Sequence, residues 1–156
     1  MDITTESSPA VRRATARDEE GVAALLTASQ LPLDGVHESL GCFVVAEENG
    51  KIVGVAGIED CGTTGEYALL RSVAVEPAWR SKGLGRTLVG EAIELAERRG
   101  AKATYLLTTT AERYFPSFGF AKTDRASVPA EVKATVEFQG ACPASATVMV
   151  RGAPSV

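Results

Sequence analysis

The sequence predicts a single α/β domain, one mixed β-sheet with helices on both faces. Three observations carry this reading. Apolar, β-branched runs such as Leu69-Leu70-Arg71-Ser72-Val73-Ala74-Val75 alternate with amphipathic segments, the order that layers helices against a sheet. Asn49-Gly50 separates two strand-like runs, and both residue types accept the positive φ of a tight hairpin. Leu84, Leu88, Ala92, Leu95 and Ala96 recur at helical spacing up to Arg99-Gly100, where a basic last turn and a glycine mark a helix end.

In chain order, residues 1–10 read as a flexible start and 11–156 as the domain, with a first strand over Ala10–Ala14. Asp18, followed by Glu19 and Glu20, opens a helix through Leu25 and Leu26 that Leu31-Pro32-Leu33-Asp34-Gly35 breaks. Asp34–Leu40 is either a short helix or a lid. Cys42–Ala46 and Ile52–Ile58 are the hairpin strands, and Cys61–Gly65 is a loop. Tyr67–Val75 is the long central strand, and a helix over Gly83–Arg99 follows it. Next come a strand over Ala103–Thr108, a short helix over Ala111–Ser117 and a strand beginning at Phe118–Lys122. A helical turn over Pro129–Thr135 and a strand over Ala146–Arg151 close the chain.

At 156 residues the chain suits one domain with a sizeable core. A formal net charge of −4 argues against a broad nucleic-acid surface, so the basic residues near Arg80 read as a local anion site. Cys42, Cys61 and Cys142 are odd in number and widely spaced, and His37 is the sole histidine. Neither a zinc site nor a disulfide framework is supported; the cysteines read as small hydrophobes. Met1–Pro9 has no basic-plus-apolar leader design and no apolar run is long enough to span a bilayer, which points to a cytoplasmic protein.

Arg80-Ser81-Lys82-Gly83-Leu84-Gly85-Arg86 lies between the central strand and the helix. Such a junction makes a phosphate socket: glycines let the backbone come close, and the first helical N–H groups have no internal partner. A P-loop needs Gly-Lys-Ser/Thr, whereas Gly85 is followed by Arg86-Thr87. A dinucleotide fingerprint needs a third glycine and an acidic residue about twenty positions on. Neither is complete here.

The wider pattern, Val73-Ala74-Val75-Glu76-Pro77, then Trp79-Arg80 and Arg-x-x-Gly-x-Gly, resembles the acetyl-CoA-binding motif of the GCN5-related N-acetyltransferases, the GNAT superfamily. Ala111-Glu112-Arg113-Tyr114-Phe115-Pro116-Ser117-Phe118-Gly119-Phe120 resembles that superfamily's second signature, in the right order and at the right separation. The resemblance covers roughly Val11 to Val150. It implies a mostly antiparallel sheet whose central strands, Tyr67–Val75 and Ala103–Thr108, splay apart to admit acetyl-CoA. By resemblance, the cofactor contacts are Val73, Ala74, Val75, Arg80, Ser81, Lys82, Gly83, Leu84, Gly85, Arg86 and Thr87, with no metal. The Val73 backbone N–H would be the oxyanion donor, an element typically worth about 10²–10³ in rate.

Two departures stand out. Many members carry a carboxylate on the central strand as general base, and Leu69–Val73 has none. Many also place a tyrosine four residues before the Gly of Gly-Phe, and here Phe115 stands there with Tyr114 beside it. Tyr114 is therefore either the proton donor to the thiolate or a covering aromatic, and water is the alternative proton carrier. Positioning of amine and thioester would then supply much of the catalysis.

An arginine inside an apolar strand must reach solvent or pair with an anion. Arg71 is thus either a structural ion pair, with Glu66 or Glu112 as candidates, or a bidentate clamp for a substrate carboxylate. Arg113 and Lys133 are further cationic candidates, and Ser72, Thr109 and Thr110 offer hydroxyls near the same gap. Leu107-Thr108-Thr109-Thr110, Tyr114-Phe115, Gly119-Phe120 and Val128-Pro129 are similar to the acetyltransferase domain of bacterial N-acetylglutamate synthases. Pro129–Phe138 with Cys142-Pro143-Ala144-Ser145-Ala146 is similar to the arsinothricin N-acetyltransferases of arsenic-resistance operons, related in activity to phosphinothricin acetyltransferases. That resemblance implies acetylation of the α-amino group of a glutamate mimic, with Arg71, Ser72, Arg113 and Lys133 holding its anionic ends. Two other readings stand beside it: glutamate itself as acceptor, and a non-catalytic acyl-CoA sensor. The superfamily resemblance also suggests a homodimer.

Overall fold

The computed structural model describes residues 9–61, 66–80, 82–135, 137–141 and 145–152. The expected loop at 62–65, Ser81, and most of the Cys142–Ser145 tail motif lie outside them. Asn49 and Gly50 both have positive φ, 52° and 82°, and join strands β2 (Phe43–Glu48) and β3 (Lys51–Cys61) as their residue types foretold. With β1 (Ala10–Arg13), β4 (Tyr67–Val75), β5 (Ala103–Thr108), β6 (Ala121–Lys122) and β7 (Thr147–Arg151) they form one sheet in the order β1-β2-β3-β4-β5-β7-β6. Only β4 and β5 run parallel; the other neighbours are antiparallel.

The two faces follow from strand alternation. Val44 and Ala46 point to the helix α3 (Leu84–Arg98), whose Leu88, Val89, Ala92 and Ala96 are fully buried against them. Phe43 and Val45 point the other way, to Val22, Leu25 and Leu26 of α1 (Glu19–Ala28). Beside α1 on that face, α4 (Ala130–Lys133) buries Val132 against Leu69, Ala103 and Tyr105. Gly54 allows α3 its close approach, since a Cβ there would sit 2.6 Å from Leu88 Cδ1.

Some boundaries differ from expectation. Asp18 closes a 3-10 turn, Ala16–Asp18, ahead of α1; its carboxylate accepts from the Thr15 N–H at 2.7 Å and from both Arg12 Nη atoms. The segment 34–40 is a one-turn helix, α2 (Val36–Ser39), running into a 3-10 turn over Leu40–Cys42, with Val36 and Leu40 buried. Ala111–Ser117 is not an α-helix. The chain turns through Tyr114 and makes a 3-10 helix only over Phe115–Phe118, where Pro116 has no N–H to extend it and Gly119, at φ 91°, ends it. The strand expected from Phe118 is therefore only Ala121–Lys122. After α4 the chain makes a π-type turn, Glu137–Ala141, that periodicity did not signal. Cys42 is a half-buried free thiol packed against the α3 core.

Candidate active site

β4 and β5 pair only through Tyr67↔Ala103, Ala68↔Thr104 and Leu69↔Tyr105. Beyond Leu69 they part, because each is held by its outer neighbour: β5 by β7 through Thr108, and β4 by β3 through Val75. A bulge accentuates the divergence. Gly57 pairs with Arg71 and Val55 with Ala74, so Ser72 and Val73 together oppose the single residue Ala56. Ser72 adopts φ 58°, a left-handed conformation that costs a non-glycine residue about 1–3 kcal/mol. The parting opens a cavity of about 900 Å³, lined along one wall by Leu70–Val75 and along the other by Leu106–Ala111.

One end of the cavity is the mouth of α3. Gly83, at φ 86°, caps the helix, and the first intrahelical bond runs from the Thr87 N–H to Gly83 at 3.2 Å. The N–H groups before Thr87 lack helical partners and suit an anion. Gly83, Gly85, Arg80 and Arg86 line this end. Arg80 is fixed by a bond from Nε to the Val75 carbonyl at 2.9 Å, and Arg86 donates to Ser117 Oγ at 3.1 Å while lying over the Phe118 ring. These residues, with Val73, Ala74 and Val75 on the wall, fit a cofactor with a phosphate group and an extended arm. The remaining expected contacts among the described residues do not line the cavity. Leu84 belongs to the buried α3 core, and Lys82 and Thr87 are exposed away from the lining. Ser81 lies outside the described residues.

Tyr114 does face this space. Its hydroxyl lies 3.3 Å from where a Cβ on Gly85 would stand, and its ring packs edge-on against Phe115 and Phe118. Burial pushes its phenol pKa up, with Arg86 pulling weakly the other way. The turn that leads into the 3-10 helix presents both Tyr114 and Phe115 to the cavity.

At the opposite end sit Arg71, Ser72 and Glu137, with Thr109 and Thr110 on the exposed rim. The Arg71 side chain is 0 % exposed; Nη1 donates to Glu59 Oε1 at 3.1 Å and Nε to Ser72 Oγ at 3.0 Å. Nη2 lies 3.3 Å from Glu137 Oε2 without a well-aligned hydrogen bond. The sequence-based partners are engaged elsewhere, Glu66 with Lys102 and Glu112 with Thr147 and Lys122. Arg113 and Lys133 are exposed and outside the lining. Sequence reasoning missed Glu137, along with Gln30, Leu31 and Pro32, which follow α1 and close one side. The one available signal was Arg71 itself, a buried cation that demands nearby carboxylates. Among the described residues, no group of three His, Cys, Asp or Glu side chains is placed to hold a metal ion.

The chain is 28% identical over 138 residues to the amino-acid acetyltransferase of Aeromonas salmonicida, 83% of this chain but only 30% of that protein. It is 29% identical over 133 residues to the amino-acid acetyltransferase of Mycobacterium tuberculosis, covering 80% of this chain and 75% of that one. The fold matches N-acetylglutamate synthase from Neisseria gonorrhoeae, solved with coenzyme A and N-acetyl-glutamate, at TM-score 0.78 and 21% identity over 94% of this chain and 35% of that one. It also matches Rv2747 from Mycobacterium tuberculosis, solved with CoA, at TM-score 0.78 and 23% identity over 94% of this chain and 100% of that one. The chain thus spans under a third of the Aeromonas protein it matches. The model of the acetyltransferase (GNAT) family matches residues 8–122, the span that holds the parted strands and the α3 mouth, and the chain belongs to that family.

Proposed function

We infer that this enzyme acetylates the α-amino group of a small amino acid of glutamate shape, with arsinothricin as its acceptor. Acetyl-CoA is the cosubstrate, and it supplies an acetyl group already activated as a thioester. The observation that carries the amino-acid reading is the charged end of the cavity, where buried Arg71 and Glu137 stand beside the bulged strand. The relatives named amino-acid acetyltransferases support the same class of acceptor. The arsinothricin reading rests on the Pro129–Phe138 and Cys142–Ala146 stretches, and Glu137 lies within the first of them.

In this reading the α3 mouth, Arg80 and Arg86 hold the phosphates, and open β4 backbone around Val73 and Val75 pairs with the cofactor's arm as an added strand would. The Val73 N–H, within the bulge, meets the developing oxyanion. Tyr114, kept protonated by burial, donates to the departing sulfur. Glutamate is the second reading, favoured by the fold match to N-acetylglutamate synthase. Initial-rate kinetics on arsinothricin, phosphinothricin and L-glutamate separate the two. The highest kcat/KM is expected on arsinothricin; a clear preference for glutamate refutes that acceptor, and no CoA release with any amino acid refutes the class.

A further inference from the structure

The central strand lacks the carboxylate that a base at this fold's reaction centre would need, yet the cavity contains one from elsewhere. Glu137 arrives from the turn after α4, and its side chain is only 6 % exposed. It faces Arg71, whose other carboxylate partner is Glu59. The acceptor end therefore holds one guanidinium and two carboxylates, a net negative charge, and the remaining cations of the lining, Arg80 and Arg86, stand at the other end. That is the wrong balance for clamping a dianion by charge alone. It is the right one for a zwitterion.

An α-amino acid head group carries an ammonium and a carboxylate on one carbon. Arg71 Nη2 and Glu137 Oε2 are 3.3 Å apart, a cation and an anion at matching separation and without a well-aligned bond between them. A carboxylate offers about four acceptor positions, so Glu137 can take a further donor beside the partners it already has. We propose that Arg71 and Glu137 form a receptor for the α-amino-acid head group, Arg71 taking the carboxylate and Glu137 the ammonium, and that Glu137 also removes the proton that frees the amine.

The step balances. Glu137 takes one proton from the ammonium, the nitrogen lone pair forms the C–N bond to the thioester carbonyl carbon, and the C–S bond breaks. The second nitrogen proton is lost as the sulfur is protonated. The products are the N-acetyl amino acid and CoA thiol, with one proton left on Glu137 for solvent. The proposal rests on the amino-acid reading above and assigns the residues that would enforce it.

The test compares wild type and E137Q on whichever amine of the panel the wild type acetylates best, and on hydroxylamine, an acceptor already neutral at pH 7. E137Q is expected to lose about 10²-fold or more in kcat/KM on the amino acid. Its acetyl-CoA binding should stay intact and its hydroxylamine rate should stay within about threefold. An E137Q enzyme as active as wild type on the amino acid overturns the proposal, and so does an equal loss on both acceptors. A second arm needs only the wild type. The α-amide of the best acceptor, which lacks the carboxylate, should be acetylated at least about tenfold less efficiently; an amide used as well as the free acid overturns the head-group receptor. If the best acceptor is not an amino acid at all, the substrate class fails, a result distinct from an inert E137Q substitution.

Discussion

Removing the Arg71 side chain tests whether the charge cluster under the cavity is a structural unit. R71A would delete a guanidinium with no solvent exposure that faces two carboxylates, Glu59 at 3.1 Å and Glu137 at 3.3 Å. Both acids would stay behind without their shared cation, and Glu137 is almost wholly buried. Breaking a buried ion pair by removing one partner costs about 3–5 kcal/mol. For a chain of this length each kcal/mol moves the midpoint by about 2–4 °C, so R71A should melt about 6–20 °C below wild type.

Thermal denaturation followed by far-UV circular dichroism measures this directly. The partners should be coupled: R71A/E137Q should recover part of the loss, since one stranded charge is gone. A head-group receptor alone predicts otherwise, a raised acceptor KM at an unchanged melting point. A shift under 2 °C with additive double-variant behaviour would therefore refute the structural account of Arg71.

Three further outcomes are expected. G85A replaces the second residue of α3, where alanine favours the helix by roughly 0.5–1 kcal/mol, but its methyl would lie 3.3 Å from the Tyr114 hydroxyl and 3.6 Å from Val75 Cγ2, inside the cavity. The melting point should hold or rise while acetyl-CoA affinity, by calorimetry, falls about tenfold or more, about 1.4 kcal/mol; unchanged affinity would move the cofactor away from Gly85. Y114F should lower kcat by about 10²-fold with acetyl-CoA affinity preserved, and a loss below threefold would assign the sulfur's proton to water. The Arg12 guanidinium, then the Thr15 N–H, hold the Asp18 carboxyl well below the usual carboxylate range, so its stabilisation is full above about pH 4 and fades as pH falls toward the folded value. D18N should cost about 1–3 kcal/mol at pH 7, with the gap to wild type narrowing at pH 3; a gap independent of pH would exclude the linkage.

Periodic and chirally demanding features were legible in the sequence. The bounds of β4 and β5 agree with the pattern residue for residue, and the hairpin follows from Asn49 and Gly50. Helix α3 was found from its apolar spacing and end signals, and α1 from its acidic start and the Pro-Gly break after it. What escaped was set by tertiary contact. The bulge falls on Ser72, a residue type with no strong preference for positive φ, so nothing local announces it. Arg71 was recognisable as a buried cation needing anions, but its partners come from β3 and from beyond α4, whereas Glu66 and Glu112 are engaged elsewhere. Arg113 and Lys133 were grouped with it by charge and by resemblance, and the fold turns both to the surface.

The bulge and the charge cluster are one device. A serine at φ 58° persists only where its surroundings over-determine it, and here the Arg71 Nε–H bond to Ser72 Oγ ties the bulged residue to the guanidinium. Arg71 is in turn anchored by Glu59 and faces Glu137. Any shift of the guanidinium toward a carboxylate in the cavity must therefore bear on Ser72, and Ser72 is the residue immediately before the Val73 N–H. In the proposed mechanism, recognition of the acceptor and aim of the oxyanion donor are consequently coupled through three consecutive residues of one strand. The base in that mechanism comes from Glu137 beyond α4, and the strand contributes the placement of amine and donor, which itself lowers the barrier.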